Sequence, residues 1–379
     1  MNILHICNDY GGSKVHRSLI QSLDEIENIF QHVYCPIRNK LLIDSNRFDG
    51  NRVSFSYSYI IRPWHRYFYG FKRNTIFKDI CKSIDLSKFD IIHASTLFSD
   101  GGVAYSIKKK YGTPYIIAIR NTDIYSFAKL QPHLWRIGRK ILLNASSIVF
   151  ISKAHLEEFL TLRFIRPILS IIRPKLILQP NGIDRYWLDN IVRDENVGNN
   201  ILYIGNFSPN KNVVRLIQSI KELRKRKDFA KTNLTIVGGG NDVGGETSKA
   251  IAENSDFVSY LGAIHDKSKL KEIMCEHAIF AMPSIHETFG LVYIEALSQN
   301  LPVIYSKGQG IDGIFGQQQS KIGLSVKSNC IESITNAIAY IISNKNKFSN
   351  KTVDFDMFDW QIIAKNYWHI YKTILYNKK

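Results

Sequence analysis

Short, continuous apolar runs alternate with helix-period segments along almost the whole chain, and this rhythm limits the folds open to it. "NILHIC" (2–7), "HVYCPI" (32–37), "VSFSYS" (53–58), "DIIHAS" (90–95), "YIIAI" (115–119) and "SIVFIS" (147–152) read as strands. Helical stretches such as "VAYSIKKKY" (103–111) separate most of them. A strand that is apolar at every position is buried on both faces, so the pattern predicts a parallel sheet wound with helices on both sides. A polar segment with Gly and Asn turn signals (181–200) breaks the rhythm and marks a boundary. The alternation then resumes with "NILYIG" (200–205), "NLTIVG" (233–238), "FVSYLG" (257–262), "AIFAMP" (278–283) and "PVIYS" (302–306). The chain therefore reads as two doubly wound α/β domains, 1–185 and 186–355, with ligands expected in a cleft at the carboxyl ends of the strands. The closing segment 356–379 contains "WQIIAKNYWHIYKTILY" (360–376), with apolar residues at helical spacing, and reads as a core-packing helix.

The bulk properties narrow the classes further. A length of 379 residues exceeds one comfortable core. "MNILHIC" reads as a buried strand rather than a leader, and the apolar runs are too short to span a bilayer. Five scattered cysteines without a C-x-x-C pair argue against a disulfide or metal framework and fit a cytoplasmic location. The net charge of +17 favours anionic partners: nucleic acid, phosphorylated metabolites or an anionic membrane surface. A solvated basic surface accounts for the same charge.

"SIHETFGLVYIEALSQNLPVI" (284–304) carries the sharpest chemistry. Glu287 and Glu295 stand eight positions apart, on either side of a Gly290 turn and a helix start. The first amides of a helix have no partner within it and attract anions. A diphosphate on those amides would have a carboxylate on each side, and carboxylates accept hydrogen bonds from sugar hydroxyls. Chance also supplies such pairs among 33 acidic residues.

Other segments point the same way. "YIGNFSPNKNVVRLI" (203–217) places Asn206 after a strand and Lys211 before a helix, where a lysine meets a phosphate as a point charge. "NDYGGSKVHRSLI" (8–20) offers Gly11 and Gly12 for close backbone approach, without the spacing of a P-loop. "AIRNTDIYSF" (118–127) places Arg120 and Asp123 after a strand, suited either to substrate contact or to helix capping with a local ion pair. "IVGGGND" (236–242) reads as a strand-ending turn, and the Asp354-Phe355-Asp356 triplet as a capping and surface feature. Histidines show no metal-ligand spacing, so no metal is expected.

These residues resemble the E-x7-E motif of retaining glycosyltransferases of family 4, of the bacterial surface-polysaccharide type. "DIIHAS", "QPNGID" (179–184), "IGNFSPNKN" and the Trp360 helix stand in the family's order. The resemblance implies a GT-B fold: two Rossmann-like domains facing a cleft, with the last helix crossing back to the first domain. It implies that Glu287 and the backbone of Thr288, Phe289 and Gly290 hold the donor sugar. Leu291 would add a diphosphate contact and Glu295 would hold the ribose. Lys211 would neutralise the diphosphate, with Gly12 approaching from the first domain. The family often has Arg where Asn206 stands, so Lys211 carries more of the phosphate charge, and it often has His where Arg120 stands, so no catalytic histidine is carried over. Arg120 and Asp123 are assigned to the reaction centre with Glu287.

The expected reaction moves a sugar from a nucleotide-diphosphate donor to an acceptor hydroxyl with retention, in assembly of lipopolysaccharide, capsule or exopolysaccharide. No cofactor is expected. "RPWHRYFYGFKR" (62–73) and "FLTLRFIRPILSIIRPKLIL" (159–178) mix basic with aromatic or aliphatic residues. Such mixtures suit either ordinary core helices or the headgroup region of an anionic membrane, on which a lipid-linked acceptor would sit. A non-catalytic subunit or an isomerase on the same fold is the alternative. Nucleic-acid binding is not expected, because no helix-turn-helix, zinc or RNP pattern is present.

Overall fold

A computed structural model describes residues 1–193, 200–240 and 242–377. Residues 194–199 of the polar boundary segment, Asn241 of the glycine turn and the last two residues of the closing segment lie outside the described residues. The chain forms two compact units. The first comprises Met1–Ile151, Leu156–Gly182 and Met357–Lys379, and the second Ser152–His155 and Ile183–Asp356.

The first unit is built on seven parallel strands: β1 (Asn2–Ile6), β2 (Phe30–Ile37), β3 (Val53–Tyr59), β4 (Ile91–Ala94), β5 (Tyr115–Ile119), β6 (Ser147–Phe150) and β7 (Leu176–Leu178). Their order is β3-β2-β1-β4-β5-β6-β7. Side chains alternate between the faces of a strand, and here both sets are buried in apolar clusters. Leu4, Ile92, Ile117 and Ile148 enter one cluster, while Ile3, Ile91, Ile116 and Val149 enter another. That double burial is why these strands read as unbroken apolar runs.

The second cluster is closed by the helix Lys14–Asp24 together with the final helix, Trp360–Tyr376. Ile363, Ala364, Tyr367 and Tyr371 of the final helix are buried there. Tyr371 also bonds His93 of β4, Oη to Nδ1 at 2.8 Å, and Asn366 donates to Gln179 at 3.0 Å. Trp360 lies over Gly182, where a Cβ would come within 2.7 Å of the indole.

The second unit holds six parallel strands: β8 (Ile201–Asn206), β9 (Leu234–Gly239), β10 (Val258–Tyr260), β11 (Ile279–Ala281), β12 (Val303–Ser306) and β13 (Gly323–Val326). Their order is β10-β9-β8-β11-β12-β13. In both sheets the winding direction reverses beside the first strand, between β1 and β4 and between β8 and β11. An open α/β sheet binds its ligands beyond the strand ends at such a reversal.

Two strands were not visible as apolar runs. β7 has three residues inside a segment that reads as helix-like. β13 opens on Gly323, at φ 151°, where a Cβ would meet Val303 O of β12 at 1.9 Å. The first of the three glycines is explained similarly, since a Cβ on Gly238 would fall 1.9 Å from Gly205 O across the β8–β9 pair.

Candidate functional site

The reversal point of the second sheet is occupied by the Glu287 loop and the Lys211 turn. After β11 the chain runs irregularly to Gly290, which adopts φ 79° and caps the helix Leu291–Ser298. A Cβ at Gly290 would stand 2.6 Å from the Tyr293 ring, so glycine is required by contact as well as by backbone conformation. The leading amides of the helix, those of Leu291 and Val292, have no carbonyl to bond within it.

Lys211 ends the 3-10 turn Pro209–Lys211, and Asn212 follows it in the left-handed region at φ 61°. Asn212 is buried and donates to Pro283 O at 2.9 Å and Ser328 O at 2.7 Å. Asn210 clasps the neighbouring loop, accepting from His286 N at 2.9 Å and donating to His286 O at 2.8 Å. These bonds hold the turn after β8 against the loop after β11, although 76 residues separate them.

The result is a direct ion pair, Lys211 Nζ to Glu287 Oε2 at 2.6 Å, with side chains 24% and 13% exposed. The other carboxylate oxygen accepts from Thr288 N at 3.1 Å. Glu287 N donates to Gln309 Oε1 at 3.1 Å, and Glu287 O accepts from Gly310 N at 2.9 Å. Gly310 has φ 56°, and a Cβ there would lie 2.9 Å from Phe289 O and 3.2 Å from Glu287 Cγ. Ser152 Oγ donates to Gly310 O at 2.6 Å. The sequence pointed to Glu287 and Lys211, which the structure brings together; it did not point to Gln309 and Gly310, which hold the Glu287 backbone, or to Asn210, which holds that of His286.

Glu295 lies on the fifth position of its helix, about 6 Å along the axis from Leu291. Burial pushes its carboxyl up to about 7, with the nearby Asp184 charge adding to the rise and Lys267 opposing it. Asp184 and Lys267 pair with each other at 2.5 Å, and Asp184 caps the helix Arg185–Asp189 through Tyr186 N at 3.0 Å. Asp184 belongs to the "QPNGID" motif and joins the second unit, whereas Gly182 joins the first, so the division falls inside the motif. Of the remaining donor-side candidates, Phe289 is buried, Thr288 and Leu291 are partly buried, and Asn206 is exposed at the end of β8.

Gly12, Arg120 and Asp123 belong to the first unit, at the carboxyl edge of its sheet. Asp123 is buried, and its carboxylate accepts three backbone N–H bonds: Leu97 at 3.0 Å, Phe98 at 3.1 Å and Arg120 at 3.0 Å. Both oxygens are therefore committed to shaping the loops after β4 and β5. The carboxylate that the sequence assigned to the reaction centre is thus engaged with backbone amides.

Arg120 extends from the end of β5, with Nε donating to Ser95 O at 3.3 Å. At Gly12 the space that a Cβ would fill lies 2.7 Å from Asp9 Oδ1, so the glycine makes room for this carboxylate. Burial raises Asp9 above the usual aspartate value, while Arg38 and Arg120 pull it down. Beside it, Asp100 is fully buried, accepts from Asn8 Nδ2 at 3.1 Å and is pushed up to about 7 by burial, against the pull of Lys72. Asp9 did not stand out, because the first loop reads as a glycine turn, while Arg38 directly follows β2 and Asp100 lies in the helix Ser99–Tyr111. The Asn8-Asp9 pair directly after β1 was the available signal.

The Asp354-Phe355-Asp356 triplet is a local turn, with Asp354 Oδ1 accepting from Asp356 N at 3.0 Å.

Several known proteins are similar to this chain along much of its length. Residues 191–354 match the family model of glycosyl transferases group 1. The chain is 26% identical over 322 residues to an uncharacterized 41.2 kDa protein in the cps region of Klebsiella pneumoniae, covering 80% of each chain. Among solved structures, sucrose-phosphate synthase from Thermosynechococcus elongatus superposes with TM-score 0.72 at 17% identity over 100% of both chains. Anabaena Alr3699/HepE, solved in complex with UDP and glucose, superposes with TM-score 0.63 at 17% identity, covering 100% of this chain and 99% of that one. The fold is GT-B.

Proposed function

We propose that this chain is a glycosyltransferase that moves a sugar from a nucleotide-diphosphate donor to an acceptor hydroxyl. The observation that carries the reading is the Lys211–Glu287 pair, held at the reversal point of the second sheet beside the amino end of the helix Leu291–Ser298. A cation and unpartnered helix amides beside a carboxylate offer complementary groups to a diphosphate and to a sugar hydroxyl.

In this reading the donor diphosphate takes Lys211 from Glu287. The freed Glu287 carboxylate then accepts from the sugar, and Glu295 accepts from the ribose. The bond from the anomeric carbon to the diphosphate oxygen breaks, and the leaving nucleoside diphosphate keeps the electron pair. The acceptor oxygen forms the new bond to the anomeric carbon and gives its proton to the departing diphosphate oxygen. Charge grows on the diphosphate as the bond breaks, and Lys211 with the helix amides stabilises it there. The E-x7-E motif supports retention of anomeric configuration. Arg120 and Asp9 are assigned to the acceptor side, with Asp123 shaping their loops.

The match to a protein of a cps region, by the words of its description, supports an acceptor in surface-polysaccharide assembly. The test is a panel of nucleotide sugars scored for thermal stabilisation and nucleotide release. One donor should stabilise the protein and be cleaved in the presence of a glycan acceptor. A folded protein that neither binds nor turns over any of them would sink the reading.

A further inference from the structure

The first unit carries an apolar surface that its own core does not use. Trp64, Phe68 and Phe71 recur at helical spacing across the 3-10 turn Pro63–Arg66 and the start of the helix Tyr69–Ser83. Such spacing ordinarily turns a stripe inward, and here the stripe faces solvent. Trp64 is 45% exposed, Phe68 54% and Phe71 64%, with Tyr67 at 70% beside them. The residues between them do the packing: His65 and Tyr69 are buried. His65 Nδ1 accepts from Arg62 N at 3.0 Å, Tyr69 donates to Phe98 O at 3.1 Å, and Lys72 donates to Ser99 Oγ at 2.9 Å. The exposed rings therefore stand on an anchored base.

The patch continues onto the turn Lys40–Leu42. Lys40 and Arg62 both lie over the Tyr59 ring, at 5.5 and 4.8 Å from its centre, and Leu41 beside them is 86% exposed. Arg66 lies over Tyr67 at 5.1 Å. Residues 50–78 contain no Asp or Glu, so Arg62 and Arg66 have no acidic neighbour within this stretch of sequence. All of this stands beyond the carboxyl ends of β2 and β3, at the sheet edge that also carries Asp9 and Arg120.

We propose that this surface docks the first unit on an anionic lipid bilayer, with the rings and Leu41 entering the headgroup boundary and Arg62 and Arg66 meeting lipid phosphates. Aromatic and aliphatic tips ringed by Arg and Lys match the chemistry of that boundary. Single-stranded nucleic acid fits less well, because it needs flat ring faces on which bases stack. Here the rings pack edge to face: Trp64–Phe68 at 62°, Trp64–Phe71 at 72° and Phe68–Phe71 at 88°. The proposed contact is peripheral; among the described residues no helix is long and apolar enough to cross a membrane. The proposal rests on the glycosyltransferase reading only for its purpose, which is to bring the acceptor-side edge to a lipid-linked acceptor.

The test is co-sedimentation of the full chain with vesicles of phosphatidylcholine alone, or of phosphatidylcholine with phosphatidylglycerol in equal parts. Nucleotide-sugar stabilisation is measured on the same samples, so that failure of docking and failure of the donor site are separable. The chain should bind the anionic vesicles at low salt and release as salt is raised. Phe68→Ser with Phe71→Ser should weaken partitioning about tenfold or more at low salt. Arg62→Gln with Arg66→Gln should remove most of the preference for anionic lipid. Unchanged circular dichroism in both pairs confirms that the surface, and not the fold, was altered. Absence of binding, equal binding to both vesicle types, or unaltered binding by the Phe pair would overturn the proposal. So would displacement from anionic vesicles by single-stranded RNA, or a dimer in light scattering that the Phe pair dissolves.

Discussion

Replacing Lys211 by Met tests two consequences of one ion pair. With Lys211 removed, Glu287 keeps Thr288 N at 3.1 Å but loses the partner at 2.6 Å. Breaking a fully buried pair costs about 3–5 kcal/mol. Exposures of 24% and 13% let water screen what is left, so a stability loss of about 1–3 kcal/mol is expected. The catalytic loss should be larger. A preorganised group that meets charge in the transition state contributes about 10²–10³ in kcat, and Lys211 stands without an arginine at Asn206 to share its task. Urea unfolding gives the first number, and steady-state nucleotide release with saturating donor gives the second. Glu287→Gln and the double variant complete a cycle. The single stability losses should sum to more than the double loss, because each leaves the other group without its partner. Turnover within about threefold of wild type in a folded Lys211→Met protein would refute the role assigned to the lysine. Additive stability losses would refute the pairing.

Three further outcomes follow from the same geometry. Gly310→Ala forces a Cβ to 2.9 Å from Phe289 O at φ 56°, so it should cost about 1–3 kcal/mol in urea unfolding and lower kcat by displacing Glu287; wild-type kcat would show that Gly310 does not position it. Tyr371→Ala empties a buried position against β4 and orphans His93, so a loss of about 3–5 kcal/mol is expected; a loss below about 1 kcal/mol would mean that the final helix adds little to the first unit. Glu295, pushed up to about 7 by burial, deprotonates as pH rises, and the carboxylate offers acceptors to both ribose hydroxyls that the neutral acid does not. Donor affinity should therefore strengthen about tenfold from pH 6 to pH 8, beyond any change shared by Glu295→Gln; parallel pH profiles for the two proteins would rule this out.

The fold was legible because burial on both faces writes itself into the sequence as unbroken apolar runs. Most of the strands announce themselves in this way, whereas the edge strand β3 reads as an alternating run with serine at every second position. β7 and β13 do not, because three residues carry no period and because Gly323 is chosen for contact with Val303 O rather than for strand propensity. The boundary shifted by a few residues for a local reason: Trp360 claims Gly182, while Lys267 claims Asp184.

The site was half legible. Glu287, Gly290 and Lys211 stand out because strand-turn-helix junctions are where such residues do chemistry. That Lys211 and Glu287 neutralise each other was invisible, since it depends on β8 lying beside β11. The Arg120-to-Asp123 run showed polarity at a strand end but could not distinguish a side chain facing substrate from one spent on backbone amides. Asp123 is of the second kind. Gln309 and Asp9 lie in loops whose sequence shows only turn chemistry.

The central claim is that the β8–β11 reversal point holds a nucleotide diphosphate. Calorimetric titration of the nucleoside diphosphate selected by the donor panel, beside its monophosphate, tests it most directly. Lys211→Met should weaken the diphosphate about tenfold or more, by removing one charge-assisted contact, and should change the monophosphate far less. Equal losses for the two nucleotides, or none for either, would contradict the account.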